Sequence, residues 1–346
     1  MVGAKPVALK DSINEEQGSE ETAELRKALL QAQKQLAKAK ERNDDLVTAT
    51  HRGAYEAMLA LGKVPPVPTP KKDTRKTKAE VALVHSTDWQ GAKVTSSYNS
   101  EIMRQRVMQF SEKVVTLTEL QRQHHPVNEC VVMFGGDMVE GLFNYPAQLW
   151  QIDSSLFGQF VNVSRLCVDF VSVMLANFEK VTVVAEWGNH GRIGGKRAEV
   201  PKSDNVDRMV YEMSRQLLAN EKRLTWEDCP EDIQEVEIGN YRALLMHGDE
   251  LGRSGFASPA AWIAGANRWK AGAHDYDFHD IYLGHYHRHA QEPIQKHYNI
   301  YWTGSTESDN RYARDSMAAS GMPSQRLHFI DPVKGRVTAN YQVWLD

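Results

Sequence analysis

The 346 residues carry 41 Lys and Arg against 45 Asp and Glu, a formal net charge of −4. That balance excludes the global basic excess of a protein that coats nucleic acid nonspecifically, so any polyanion site has to be local. With 41% hydrophobic and 25% charged residues, the chain reads as a soluble globular protein large enough for one big domain or two ordinary ones.

Residues 1–18 are polar and irregular and are expected to be a disordered tail. Residues 19–61 read as a helical arm: Ser19 suits an N-cap, and no Gly or Pro interrupts the stretch to Thr50. Leu25, Leu29, Ala32, Leu36, Ala39, Asn43 and Leu46 alternate by four and three, the seam of a coiled coil that would give a homodimer. A single amphipathic helix lying on its own domain fits the same pattern. Residues 62–78 hold four prolines among lysines and predict an extended linker, which puts the start of the main domain at 79 and its end at 346.

Strands and helices then alternate. Strands are predicted at 81–86, 130–134, 181–185, 236–238, 243–246 and 280–283, and helices at 100–123, 206–219 and 259–271. Residues 147–178 read as one or two helices, and the chain from Ile300 onward as strands with turns near Pro332 and Gly335. This order is α/β with an all-β ending. Cys130, Cys167 and Cys229 are scattered without a C-x-x-C pair, which argues for a reducing, cytoplasmic setting. No apolar h-region opens the chain and no run of 18 apolar residues occurs, so no membrane span is expected.

Five segments that follow apolar strands carry chemistry: Asp88-Trp89-Gln90, Gly136-Asp137 with Glu140, Gly188-Asn189-His190, His247-Gly248-Asp249, and Gly284-His285-Tyr286-His287. Asp88 and Gln90 are two apart, as are His285 and His287, so in extended backbone each pair points to one side. Carboxylate, imidazole and amide together suit Mn²⁺, Fe²⁺ or Zn²⁺ better than Ca²⁺.

The order of these motifs resembles the calcineurin-like metallophosphoesterase superfamily, with its D-x-H, GD-x-x-[DE], GNH-[DE], H and GH-x-H pattern, over roughly Val81 to Ser305. The resemblance implies a four-layer α/β/β/α sandwich with metals at the strand ends. It implies that Asp88, Gln90, Asp137 and His287 hold one ion, and that Asp137, Asn189, His247 and His285 hold a second, with Asp137 as the bridge. His190, beside Asn189, would be the proton donor or charge stabiliser over the substrate phosphate. Two ions roughly 3.5–4 Å apart can hold a hydroxide for in-line attack on phosphorus. The expected cofactors are two divalent ions, Mn²⁺ first, with Mg²⁺, Fe²⁺ or Zn²⁺ as alternatives. Two positions depart from the pattern: Gln90 stands where the family has His, and Gly191 stands where it has an acid.

The leading expectation is a phosphodiesterase similar to the SbcD-type nucleases, acting on DNA. A phosphatase or phosphodiesterase of small nucleotides and an inactive partner-binding scaffold are the alternatives. Arg192, Lys196 and Arg197, after His190, read as a clamp for substrate phosphates or as a solvated basic loop. Glu140 reads as support for a ligand or a helix start, His85 as a core residue, and Trp89 as a packed aromatic with base stacking as the alternative. His289 continues the period of His285 and His287, and is weighed as ordinary against a contact with substrate or metal.

Overall fold

The computed structural model describes residues 64–75 and 78–346, apart from 144–145, 195–200, 229–231, 251–258, 297 and 311–320, together with scattered positions between 27 and 56. The chain separates into two compact units, Met1–Thr50 and His51–Asp346. In the first unit Lys27, Gln31, Lys34, Lys38, Thr48 and Ala49 are helical, and all are exposed. The seam positions Leu25, Leu29, Ala32, Leu36, Ala39, Asn43 and Leu46 and the tail 1–18 lie outside the described residues. Residues 64–75 have no regular secondary structure and are largely exposed. They are nonetheless held to the rest of the second unit, where Asn128 Nδ2 donates to the Asp73 carbonyl at 2.9 Å and Arg75 Nη2 to the Arg122 carbonyl at 2.7 Å.

The second unit is built on two mixed sheets. The first contains β1 (Val81–Ser86), β2 (Glu129–Gly135), β3 (Lys180–Glu186) and β4 (Leu224–Trp226), with β10 (Ser324–Asp331) and β11 (Arg336–Trp344), in the order β11-β10-β1-β2-β3-β4. The second contains β5 (Gln234–Ile238), β6 (Tyr241–Met246), β7 (Asp280–Leu283), β8 (Ala290–Gln295) and β9 (Tyr298–Trp302), in the order β5-β6-β7-β9-β8. Strands β1 to β4 run parallel, as do β6, β7 and β9, so the segments after β1, β2, β3, β6 and β7 leave at carboxyl ends.

Alternation sorts each strand's side chains into layers. Val81 and Leu83 of β1 and Val131 and Met133 of β2 pack between the sheets against Val236, Ala243, Leu245 and Tyr301. The opposite face of the first sheet is covered by α1 (Ser100–Arg122), α2 (Leu156–Asn177) and α3 (Val206–Leu217). There Phe134 of β2 meets Phe170 of α2 and stacks on Tyr211 of α3, while Phe170 stacks on Phe110 of α1. On the far side of the second sheet, α4 (Pro259–Arg268) sets Trp262 and Ala266 against Leu244, Met246, Ile281 and Leu283. The layers are therefore helix, sheet, sheet, helix.

Helix α2 is 22 residues long, with a hydropathy of 1.3 over its most apolar window, enough to cross a membrane by length and composition. It is not an unbroken apolar run, since Gln159, Asn162, Arg165 and Asp169 interrupt it. The helix is a core element here, since twelve of its residues are buried, among them Val163, Cys167, Phe170 and Met174. The stretch read as one or two helices contains a 3₁₀ turn, Pro146–Trp150, and α2, which Ser155 caps by accepting from Gly158 N at 3.2 Å. Cys130 and Cys167 are buried free thiols, and Cys229 lies outside the described residues.

Between the sheets runs a buried polar chain. Tyr241 donates its hydroxyl to Asp280 Oδ2 at 2.7 Å and lies 2.9 Å from the Tyr282 hydroxyl, which in turn meets His328 Nδ1 at 2.8 Å. Burial raises Asp280 from 3.8 to about 6, against the bonds from Tyr241 and Asn299 that favour its charge. The folded protein thus holds this proton more tightly than the unfolded chain does. The stabilisation is fully present below pH 3.8 and is lost as pH rises through about 6. Asp280→Asn keeps the acceptor for Asn299 and removes the buried charge. It is expected to raise the stability measured by urea unfolding at pH 8 by up to about 3 kcal/mol, with the gain vanishing near pH 4.

Candidate metal centre

All five strand-end segments converge at the carboxyl ends of β1, β2, β3, β6 and β7. Asp88, Gln90, Asp137 and His247 are at most 1% exposed and Asn189 is 8% exposed, while His285 and His287 are partly buried. Asp88, Gln90, Asp137, His285 and His287 have φ of 53°, 49°, 50°, 63° and 50°. The pairs two apart therefore converge through left-handed backbone rather than the extended backbone expected from spacing. Left-handed residues other than glycine are strained, and five at one site mark a conformation held by its surroundings.

Part of that hold is close backbone approach. A Cβ on Gly188 would stand 2.1 Å from Asp137 Oδ1, and one on Gly284 would stand 2.3 Å from Asp88 Oδ2. Asp88 is further fixed by the Thr87 hydroxyl at 2.7 Å and by His285 N, 3.0 Å from both carboxylate oxygens.

Two donor groups meet at Asp137. On one side Oδ2 lies 3.1 Å from His247 Nε2, which is 3.2 Å from both His285 Nδ1 and Asn189 Oδ1. Ligand atoms of Asp137, His247 and His285 all fall within 4.8 Å of one another, as a divalent ion requires. On the other side Gln90 Nε2 is 3.3 Å from the same Asp137 oxygen and 3.3 Å from His287 Nε2, which is 3.2 Å from Asp88 Oδ1. Gln90 Oε1 is buried without a hydrogen-bond partner among the described residues. Oxygen, imidazole and amide donors crowded this closely, with one amide oxygen orphaned, fit divalent-metal binding. His247 Nδ1 faces the Gly135 carbonyl at 2.8 Å and must carry its proton there, which frees Nε2 as a donor atom. Burial works against the Asp137 charge, but His247 and His190 hold its carboxyl well below the usual range.

His190 stands beside these groups. Its Nδ1 faces the Glu140 carbonyl at 3.0 Å and Glu140 Oε2 at 3.3 Å, while Nε2 is 3.9 Å from Asp137 Oδ2. Glu140 is itself held by Lys93 Nζ at 3.0 Å and Gln148 Nε2 at 3.2 Å. Burial disfavours the imidazolium, yet Asp137 and Glu140 outweigh it and raise His190 to about 9. Burial likewise opposes the Glu140 charge, and His190 and Lys93 lower its pKa all the same.

Asn205 and Asp207 crowd Gly191, the residue after the Gly-Asn-His triplet. A Cβ on Gly191 would stand 2.2 Å from Asn205 Oδ1, so any side chain there would have to displace the Asn205 amide. Asn205 donates to the Gly188 carbonyl at 2.8 Å, and Asp207 in the first turn of α3 accepts from Gly188 N at 2.9 Å and Met138 N at 3.1 Å. One carboxylate thus ties the β2 and β3 loops together.

Arg192 lies at the site but is engaged, with Nη2 2.7 Å from Asp249 Oδ2. Lys196 and Arg197 lie outside the described residues. Trp89 is fully buried, donates to Ser86 Oγ at 2.8 Å and packs edge-on against Phe134, which corresponds to the packed rather than the stacking role. His85 is a core residue, 2.8 Å from Thr303 Oγ1. His289, half-buried, is pushed down to about 3 by burial and by Arg326. Sequence reasoning missed Lys93, Asp207 and Glu307, whose Oε2 is 3.0 Å from His287 Nδ1. The available signal for Glu307 was a sixth polar cluster at a strand end, Thr303 to Glu307 after β9.

No family model matches the chain. The SPbeta prophage-derived uncharacterized protein YonJ of Bacillus subtilis is 22% identical over 294 residues, covering 83% of this chain and 70% of that one. Among solved structures, Entamoeba histolytica Vps29 complexed with zinc is similar at 12% identity and a TM-score of 0.32, over 77% of this chain and 99% of that one. A predicted phosphoesterase from Streptococcus pneumoniae reaches 11% identity and a TM-score of 0.30, over 76% and 98%. The 5'-nucleotidase of Candida albicans reaches 10% and 0.34, over 81% of this chain and 54% of that one.

Proposed function

We propose that this protein is a metal-dependent phosphodiesterase acting on nucleic acid, DNA in the first instance, with two divalent ions held by the donor groups that meet at Asp137. The observation that carries the reading is Asp137 Oδ2, which borders both groups, 3.1 Å from His247 Nε2 and 3.3 Å from Gln90 Nε2. A pair of such ions, when bound, supplies charge to polarise a phosphate and to acidify water toward neutral pH. The donor set suits Mn²⁺ first, with Mg²⁺, Fe²⁺ or Zn²⁺ as alternatives.

The chain's own residues do the rest. Asp88 and Asp137 bring negative charge to hold cations, and the buried walls exclude bulk water. His190 holds a proton on Nε2 while Glu140 fixes Nδ1, so it can deliver that proton to the departing oxygen. Arg192, one quarter exposed, can exchange part of its contact with Asp249 for a phosphate oxygen. The Lys93–Glu140–His190 arrangement argues against an inactive scaffold, which has no use for a positioned proton donor.

Trp150 supports a nucleic-acid substrate. It is 89% exposed on the 3₁₀ turn whose Gln148 donates to Glu140, the residue that His190 faces. An aromatic face so placed can stack a base. Trp150→Ala is expected to raise KM for single-stranded DNA by about 5-fold or more with kcat little changed, since base stacking on an aromatic side chain contributes about 1–3 kcal/mol.

The reading as a whole is tested with bis-p-nitrophenyl phosphate against p-nitrophenyl phosphate in Mn²⁺, followed by labelled single- and double-stranded DNA. Preference for the diester and Mn²⁺-dependent cleavage of DNA are expected. Hydrolysis confined to the monoester or to free nucleotides would replace the nuclease reading with a phosphatase or a nucleotide phosphodiesterase.

A further inference from the structure

His287 and His247 present Nε2 to the site in the same way, but their other nitrogens face different groups. His247 Nδ1 meets a neutral carbonyl, that of Gly135, at 2.8 Å. His287 Nδ1 meets a carboxylate, Glu307 Oε2, at 3.0 Å. Glu307 is 4% exposed, and neither of its buried carboxylate oxygens makes a well-formed hydrogen bond among the described residues, so what Oε2 has is the 3.0 Å ion-pair contact with the His287 ring. A buried carboxylate is costly to keep unless it serves a partner, and His287 is the partner it reaches.

The segment that carries Glu307 is built into the same half of the site. Ser305 Oγ donates to the Asp88 carbonyl at 2.7 Å, Thr306 N donates to that carbonyl at 3.3 Å, and Thr306 Oγ1 donates to the Trp89 carbonyl at 3.2 Å. Arg106 secures the segment from α1 through the Thr306 carbonyl at 2.7 Å, and Glu307 N donates to Ser305 Oγ at 2.9 Å. One strap therefore supports the left-handed Asp88–Gln90 turn and aims a carboxylate at His287. That half is also the one where an amide, Gln90, stands in place of an imidazole, and an amide oxygen is the weaker donor to a transition metal.

We propose that Glu307 is a positioning residue for the ion site formed by Asp88, Gln90, Asp137 and His287: it fixes the tautomer and orientation of His287 and makes its Nε2 a stronger donor, offsetting the weaker ligand Gln90. A carboxylate behind a ligating imidazole acts on a metal in both ways. The inference rests on the two-ion reading and concerns one of the two sites only.

The test is calorimetric titration of Mn²⁺ into the metal-free full chain, wild type and variants, with thermal melts to confirm that each is folded. Wild type is expected to bind two ions. Glu307→Gln is expected to weaken one site by about 10–100-fold and leave the other unchanged. Glu307→Asp, which keeps the charge but shortens its reach, is expected to weaken the same site less. It also serves if the Gln variant does not fold. Gln90→His added to Glu307→Gln is expected to recover affinity at that same site. Unchanged affinities in Glu307→Gln, or equal weakening at both sites, would overturn the proposal. Fewer than two ions on wild type would overturn the two-ion reading itself, and binding of a single ion that Glu307→Gln leaves untouched would overturn both.

Discussion

Asp137→Asn is expected to abolish phosphodiester hydrolysis and to lower the bound metal below two ions per chain. The substitution keeps one oxygen, and therefore keeps an acceptor for His190 N, which now donates to Asp137 Oδ1 at 2.7 Å. What it removes is the charge at the point where the two donor groups meet. Losing a partner behind a ligand typically costs about 10–100-fold in metal affinity or activity, so losing the shared ligand has to cost more. Elemental analysis of the purified variant, beside its Mn²⁺-dependent turnover, checks both halves of the expectation. Full activity with unchanged metal content would mean that Asp137 holds no ion.

His190→Ala separates proton handling from metal binding. Its ring is positioned through Nδ1 by Glu140, and its Nε2 is 3.9 Å from Asp137 Oδ2, farther than any of the donor contacts at that oxygen. The variant is therefore expected to keep its metal and to lose turnover by about 10²–10⁴-fold, the usual contribution of a general acid. Substrates that release nitrophenolate, which departs without a proton, should lose much less than DNA. Loss of metal together with activity would make His190 a ligand, and equal losses on both substrates would remove the proton-donor role.

The two outcomes draw on residues of different legibility. Asp88, Gln90, Asp137, His247, His285 and His287 stood out in the sequence because strand ends in an α/β sheet concentrate functional side chains within two or three residues of each other. Their backbone did not stand out: side-chain period predicts extended pairs, whereas close packing around Gly188 and Gly284 forces left-handed turns. Glu307 and Asp207 were hidden for a plainer reason. Glu307 meets His287 and Asp207 meets Gly188 from segments about 20 residues farther along the chain, and only the folded chain shows that proximity.

The strands show the same limit. β7 was legible to the residue as a short apolar run. β4 spans only three residues, Leu224–Trp226, too few for any period to register. β8 reads Ala-Gln-Glu-Pro-Ile-Gln, poor in β-branched residues and broken by Pro293, and forms only because it is an edge strand whose register shifts between Pro293 and Gln295. The helical arm was read from a heptad seam whose positions lie outside the described residues, and its role in dimer formation stays a proposal.

The most direct measurement is anomalous scattering from crystals of the full chain grown with Mn²⁺. Two peaks are expected, one beside Asp88, Gln90 and His287 and the other beside Asn189, His247 and His285, with Asp137 touching both. No peak at these residues, or a single peak that Asp137 does not border, would contradict the account.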